Sequence, residues 1–595
     1  MKFKMHRDYP KNGLSVFQQL FMNRGLENDD IEKYTNLTDE DISPPEALGE
    51  EKLRKAAEIL TNTIKEEKNL LVLVDSDCDG YTSSAIFINW LYKAFPHYTT
   101  NHVKWFLHDE KVHGLTEEVM NYIRNEDLSL VWIPDAGSND LTQIEELHNL
   151  GISVVLTDHH LLNSDPSPYA ITINSQIDGY PNKELTGAGV TWQACRYLDK
   201  ILGKSFAEEL VDLVATGQIA DMSDLHAFEV RRLIFKGLEP DNIKNPYLFE
   251  LWQKNKFKLG DTPTDWGWTF YVCPLINAMT RSGTLDEKIL TFEAMLLHKA
   301  FERIPSTKRG HKPGEMERRV DQAIRLATNV KNRQTKSETA GLALLEDRIQ
   351  ENSMLDHKVL LFTVKQGEVD PGIRGLVANK LMAKYQRCCA VLTIDPEGEN
   401  YSGSMRGCGF TGITDFKKIC EDTELINWCF GHENAAGLSI PVKNIEGFIE
   451  KTDELLANTP DEAVYSVDFI WNTDDVNGEA ILKIADFDKY IGQGFVEPLV
   501  AVSNIKISNN IVMMKSNTVK ITTENGIDII AFRMPDEEFE KLASLSSDEC
   551  LNIVAKCDKN TWNGVTRPQL HLKDYEIIKT APQTNGIKAQ WADLF

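Results

Sequence analysis

Residues 69–80, NLLVLVDSDCDG, decide how the rest of the chain is read. LLVLV, 70–74, is an unbroken apolar run, which suits a strand buried on both faces of a parallel sheet. It then meets three carboxylates at alternate positions, Asp75, Asp77 and Asp79. Residues 81–90 are compatible with a helix. Carboxylates packed this closely repel one another unless something positive sits between them. A hard divalent cation, which takes oxygen ligands, is the simplest such group. Taken alone, the pattern reads equally well as a solvated acidic turn or a calcium-type loop.

The neighbouring sequence repeats the arrangement. Residues 128–133 read as a strand ending at Asp135, 141–150 as a helix, and 153–156 as a strand ending at Asp158, His159 and His160. Strands alternating with helices imply a parallel α/β sheet, and in such sheets ligands gather beyond the carboxyl ends of the strands. Three clusters of metal-type side chains at three equivalent strand tips make a shared site. A helix over 206–217 leads to QIADMSDL, and Asp221 joins the set as a candidate that spacing alone leaves open to a plain cap.

Outside this core, residues 1–50 read as a helical, acidic lead-in with a break at Pro44-Pro45, and 51–235 as the first α/β domain. Residues 236–340 read as a helical connector containing Arg281 and a basic run, 308–336, expected to be a solvated helix. A second α/β domain spans 341–458. Its YSGSMRG and GHENAAGLSI segments carry Ser404, Arg406, His432 and Asn434, which with glycine-rich turns can hold an anionic group. From 459 to 580 the style changes to short β segments, the mark of a small barrel. There Trp562 and Arg567 can supply stacking and charge to a single strand, or Trp562 can pack on its own barrel. The tail, 581–595, ends QWADLF, an apolar terminus on a polar linker that reads as a tethered peptide ligand.

The 595 residues suit several domains, and the formal charge of −26 disfavours long-range attraction of nucleic acid without excluding a local groove. No apolar run approaches the ~20 residues of a membrane span. The opening MKFKMHRDYP has no apolar signal core, and the ten cysteines form no CxxC pair. These point to a cytoplasmic, reducing compartment.

With these segments in view, the chain resembles the DHH phosphoesterase superfamily, and within it the RecJ-type single-strand-specific exonucleases. DSDCDG, PDAGSND and TDHH look like its first motifs. SGSMRG with GHENAAGLSI looks like the DHHA1 domain, and GQGFVEP with NTWNGVTRPQLHLKDYEI like the RecJ nucleic-acid-binding barrel. The resemblance implies a parallel-sheet DHH domain, a DHHA1-like α/β domain, a helical connector and a C-terminal OB-like barrel. It makes Asp77, Asp79, Asp135, His159 and Asp221 ligands of two divalent ions, manganese or magnesium, with Asp75 a ligand or its support. His160 would face the scissile phosphate and Asp158 would orient it. Ser404, Arg406 and the GHENAAG segment, with Arg281, would hold phosphates. Hydrolysis would run 5′ to 3′ along single-stranded DNA, releasing nucleoside 5′-monophosphates in recombination, repair or replication.

The chain departs from the family where LHDEKVHG stands for an arginine-containing segment, leaving His108 or Lys111 as the phosphate contact. QWADLF is similar to peptides that dock on the bacterial sliding clamp, through Gln590, Leu594 and Phe595. Single-strand-binding protein is a second expected partner. Three other readings stand beside this one: a DHH phosphodiesterase of short oligonucleotides or cyclic dinucleotides, a non-catalytic replication scaffold, and an inorganic pyrophosphatase, which shares the first domain but not the DHHA1-like second.

Overall fold

The apolar run forms the strand Leu70–Val74, and all five residues are buried. It lies second in a five-stranded, all-parallel sheet whose order is Val103–Leu107, Leu70–Val74, Leu130–Pro134, Ser153–Asp158, Ala170–Asn174. Both faces are covered, which explains the absence of polar alternation. On one face Leu71, Leu73, Val131 and Ile133 pack against Val119, Ile123, Ile144 and Leu147. On the other, Phe87 from the helix Cys78–Ala94 stacks on Trp132 with ring centres 4.1 Å apart.

The computed structural model describes residues 2–6, 14–110, 112–177, 179–351, 353–460, 464–507, 511–546 and 548–579. The chain forms two units: residues 33–335 with 492–495, and residues 1–32, 336–491 and 496–595. The first holds the parallel sheet and the helices that follow it, including Pro246–Leu259, Cys273–Ser282 and Leu285–Met295. The expected helix at 206–217 is a 3₁₀ turn, Ala207–Leu210, followed by the helix Val211–Ala220. The basic run 308–336 is not one solvated helix. It opens in a hairpin between the strands Arg303–Pro305 and Met316–Arg318, and only then enters the helix Arg319–Glu351. Buried Glu317 explains the difference, because it draws in Lys308 at 3.3 Å and Arg325 at 2.7 Å.

In the second unit a five-stranded sheet runs in the order Trp428–His432, Ala435–Pro441, Asn400–Arg406, Cys388–Ile394, Val359–Val364. Its first three pairings are antiparallel and the last is parallel. One face carries the core around Phe416, Cys420, Leu438 and Phe448. The other is covered over its Val359–Val364 side by Leu345, Val377 and Leu381. A seven-stranded sheet follows, ordered Phe469–Asn472, Leu499–Ile505, Glu549–Trp562, Val565–Lys579, Asp528–Ala531, Thr518–Thr522, Ile511–Met514.

The chain's start is part of this unit. Lys2–Met5 pairs in parallel with Val464–Val467, and Arg24 forms a buried pair with Asp468 at 3.0 Å. All ten cysteines are buried and free. Among the described residues, no helix is long and apolar enough to cross a membrane.

Candidate functional site

The strand tips deliver the expected side chains to one place. Asp75 follows the strand Leu70–Val74, and Asp77 caps the helix Cys78–Ala94, its Oδ1 accepting from the Gly80 amide at 3.1 Å. Asp79 sits in the first turn of that helix. Asp135 follows Leu130–Pro134 in the left-handed region, φ 64°, with its amide donating to the Thr157 carbonyl at 2.9 Å. Aspartate tolerates this conformation better than most residues, at a cost. Asp221 caps the C-terminal end of Val211–Ala220.

His159 is the hub. Its Nε2 lies 3.1 Å from Asp135 Oδ1, 3.8 Å from Asp221 Oδ2 and 3.9 Å from Asp79 Oδ2. Asp79 Oδ1 accepts from Thr186 Oγ1 at 3.0 Å and from the Ala188 amide at 3.2 Å, at the start of the helix Gly187–Leu202. Asp79 Oδ2 and Asp135 Oδ1 are buried and accept no hydrogen bond from the described residues. Burial, then the Asp77 charge, raises the Asp79 carboxyl to about 6. Burial and the charges of Asp79 and Asp77 hold Asp135 and Asp221 well above the usual carboxylate range.

Buried acceptors left bare and mutually repelling carboxylates are costly unless compensated. Their convergence on one imidazole is the donor chemistry of a transition-metal site, so these residues fit divalent cations.

Two glycines shape the cluster by having no side chain. A Cβ at Gly187 would stand 2.4 Å from Asp135 Oδ1 and 2.5 Å from its Cβ, and one at Gly217 would stand 2.2 Å from Asp79 Oδ1.

Asp158 is fully buried and organises the two histidines. Its Oδ1 accepts from the amides of His159 and His160, at 2.7 and 3.1 Å, and from His160 Nδ1 at 2.8 Å. Burial works most strongly against its charge, yet the His160 hydrogen bond, the charges of His160 and His159 and the Ser138 hydrogen bond together hold Asp158 below its ordinary range. Burial is the largest single influence on His160 and lowers its pKa, but the Asp158 hydrogen bond and the charges of Asp158, Asp75 and Asp221 together raise the imidazole to about 9. His160 remains half exposed.

One participant was not foreseen. His113 Nδ1 lies 2.5 Å from Asp75 Oδ2, and His113, Asp75 and Asp77 form a second grouping with metal-type donors. A lone histidine in a glycine-bearing loop carries no local signal, because the fold alone brings it to the strand tip.

The expected phosphate contacts divide. Arg281, in the helix Cys273–Ser282, is lowered by burial and drawn the other way by Asp77, and its Nε has no hydrogen-bond partner among the described residues. His108 does not fit as a phosphate contact. It is buried, Nε2 pairs with the Gly114 carbonyl at 3.1 Å, and burial lowers it to about 4. Lys111 lies outside the described residues, as do Gln590, Leu594 and Phe595.

In the second unit Ser404 and Arg406 lie on the strand Asn400–Arg406, and His432 is exposed at the end of Trp428–His432. Asn434 is spent on structure. Its Oδ1 accepts from the Phe416 amide at 3.2 Å and its Nδ2 donates to the Thr414 carbonyl at 2.7 Å. Trp562, 75% exposed, and Arg567 stand near the tip of the hairpin Glu549–Trp562/Val565–Lys579. Trp562 is therefore not packed on its own sheet.

Comparison with known proteins agrees with this geometry. Residues 69–218 match the model of the DHH family N-terminal domain, and 467–574 that of the RecJ OB domain. The chain is 32% identical, over 94% of its own length and 96% of the relative's, to a Bacillus subtilis (strain 168) protein named as an SPbeta prophage-derived single-strand DNA-specific exonuclease, YorK. It is 25% identical to the single-stranded-DNA-specific exonuclease RecJ of the same strain, over 91% of this chain and 65% of that one. The crystal structure of RecJ from Thermus thermophilus in complex with Mn2+ shares the fold, with a TM-score of 0.65 and 20% identity over 90% of this chain and 73% of that one.

Proposed function

Because the chain belongs to the RecJ-type DHH family, we propose that it is a metal-dependent exonuclease of single-stranded DNA, running 5′ to 3′ and releasing nucleoside 5′-monophosphates. The observation that carries this reading is the convergence of Asp79, Asp135 and Asp221 on His159, with buried oxygens that accept no hydrogen bond from the described residues.

Asp77, Asp79, Asp135, His159 and Asp221 would hold two divalent cations, and mixed carboxylate and imidazole donors favour manganese over magnesium. Cations bound there would supply a water acidified to near neutral pH and a counter-charge for the phosphate. Asp75 braces the cluster through His113.

His160 acts on the substrate. Asp158 occupies its Nδ1, so Nε2 is left to donate to a phosphate oxygen. Arg281 adds a guanidinium whose Nε meets no acceptor among the described residues. Ser404 and Arg406 contact the backbone of the strand, and Trp562 with Arg567 grips it farther along. A role in recombination, repair or replication, with sliding clamp engaged by the terminal QWADLF and single-strand-binding protein as partners, completes the proposal.

Digestion of single-stranded DNA labelled at either end, with manganese, tests it. Early loss of a 5′ label as mononucleotide supports the proposal. Activity on dinucleotides but none on long strands would assign the chain to the short-oligonucleotide phosphodiesterases. No hydrolysis of either would leave a scaffold.

A further inference from the structure

The five-stranded sheet of the second unit is unevenly covered. Cover over its Val359–Val364 side comes from Leu345, Val377 and Leu381. Toward the other edge, the same face carries an exposed aromatic pair. Trp428 is 37% exposed and Phe430 70%, and their rings stack 5.4 Å apart at 14°. They alternate with buried Cys429, so both rings stand on one side of the edge strand.

The register extends this surface inward. Phe430 pairs with Gly437, which pairs with Ser404, and His432 pairs with Ala435, which pairs with Arg406. Directly paired residues of an antiparallel ladder share a face. A Cβ at Gly437 would meet the Trp428 ring at 3.2 Å, which fixes that face as the aromatic one. The strip between rings and guanidinium is therefore lined by small residues. Its far side is positive, because Arg406 Nη2 lies 2.5 Å from where a Cβ of Gly375 would stand, in the first turn of the helix Arg374–Tyr385.

A flat apolar pair, a shallow strip and a cationic border two strand spacings away, about 10 Å, fit one occupant: a single strand with unpaired bases and a charged backbone. A phosphodiester backbone supplies the continuous negative charge that such a border meets. We propose that Trp428 and Phe430 form a base-stacking platform that holds the single strand while Ser404 and Arg406 take its phosphates. The proposal rests on the single-strand reading above and adds a place where bases, not phosphates, are felt.

The test is equilibrium binding, in EDTA, of a labelled oligothymidylate and of an abasic strand of equal length to the full-length protein. Phe430→Ala and Trp428→Ala are each expected to weaken the oligothymidylate about fivefold or more, the low end of base–aromatic stacking. The abasic strand should bind as before, and Phe430→Tyr should keep wild-type affinity. Unchanged affinity, or an equal loss on both strands, would overturn the platform. So would variants that alter the sedimentation of the free protein, since the rings would then meet a second copy. If the wild type degrades single strands and the variants bind normally, the platform alone falls. If the wild type binds neither strand, the single-strand reading falls with it.

Discussion

Replacing Gly187 with alanine tests how tightly the cluster is built. On helix propensity the change is favourable, by up to about 1 kcal/mol. Packing says the opposite. The new Cβ would lie 2.4 Å from Asp135 Oδ1 and 2.5 Å from Asp135 Cβ, whereas ordinary contact begins at 3.4 Å. Rotating the carboxylate relieves the first contact but not the second. Asp135 Cβ is set by a left-handed backbone and by the amide bond to the Thr157 carbonyl. One of the two segments must therefore move by about 1 Å. A displacement of that size at a reacting centre costs on the order of 100-fold in rate, and overpacking costs about 1–3 kcal/mol of stability. The assay is manganese-dependent release of nucleotides from single-stranded DNA, with Mn2+ affinity by calorimetry and a thermal melt alongside. Gly409→Ala, whose Cβ meets nothing within 4 Å, is the control. A Gly187→Ala protein within threefold of wild type in both rate and Mn2+ affinity would refute the reasoning.

The same cluster makes stability depend on metal and pH. Asp79 is raised to about 6 when no cation is bound, so its contribution is fully present below the ordinary aspartate pKa and is lost as pH rises through about 6. EDTA should then lower the melting temperature more at pH 8 than at pH 5, with Mn2+ at 100 times its Kd restoring about 2.7 kcal/mol; equal effects at the two pH values would contradict this. Asp135→Asn should abolish nuclease activity yet raise the melting temperature in EDTA at pH 8, because it removes a buried charge whose folded-state pKa is raised. A lower melting temperature would count against that account. Asp468→Ala strands the buried Arg24 guanidinium and should cost about 3–5 kcal/mol in chemical denaturation.

Much of the site was readable because its chemistry repeats at each strand tip. An apolar run that ends in a carboxylate carries both the strand and the ligand in a few residues. Asp75, Asp77, Asp79, Asp135 and His159 all follow that rule, and Asp221 was reached through a helix instead. What stayed hidden depends on contacts distant in sequence. His113 is a loop residue until the fold sets it against Asp75. Gly187 and Gly217 look like ordinary helix glycines until the carboxylates they accommodate are in place. The lead-in gave no hint that its first helix, Val16–Asn23, belongs with Asp468, a partner far along the chain that Arg24 reaches only in the folded state. The basic run misled because charge periodicity cannot reveal Glu317, the buried carboxylate that folds its first part into a hairpin.

The sequestered thiols offer a use of their own. With every cysteine buried and most held above the ordinary thiol range by burial, a thiol reagent must wait for the chain to open. Cys78, Cys195 and Cys273 report on the residue 33–335 unit, and the seven from Cys388 to Cys557 on the other. Mass-resolved alkylation over time would therefore clock the breathing of each half separately, in one tube, on unmodified protein.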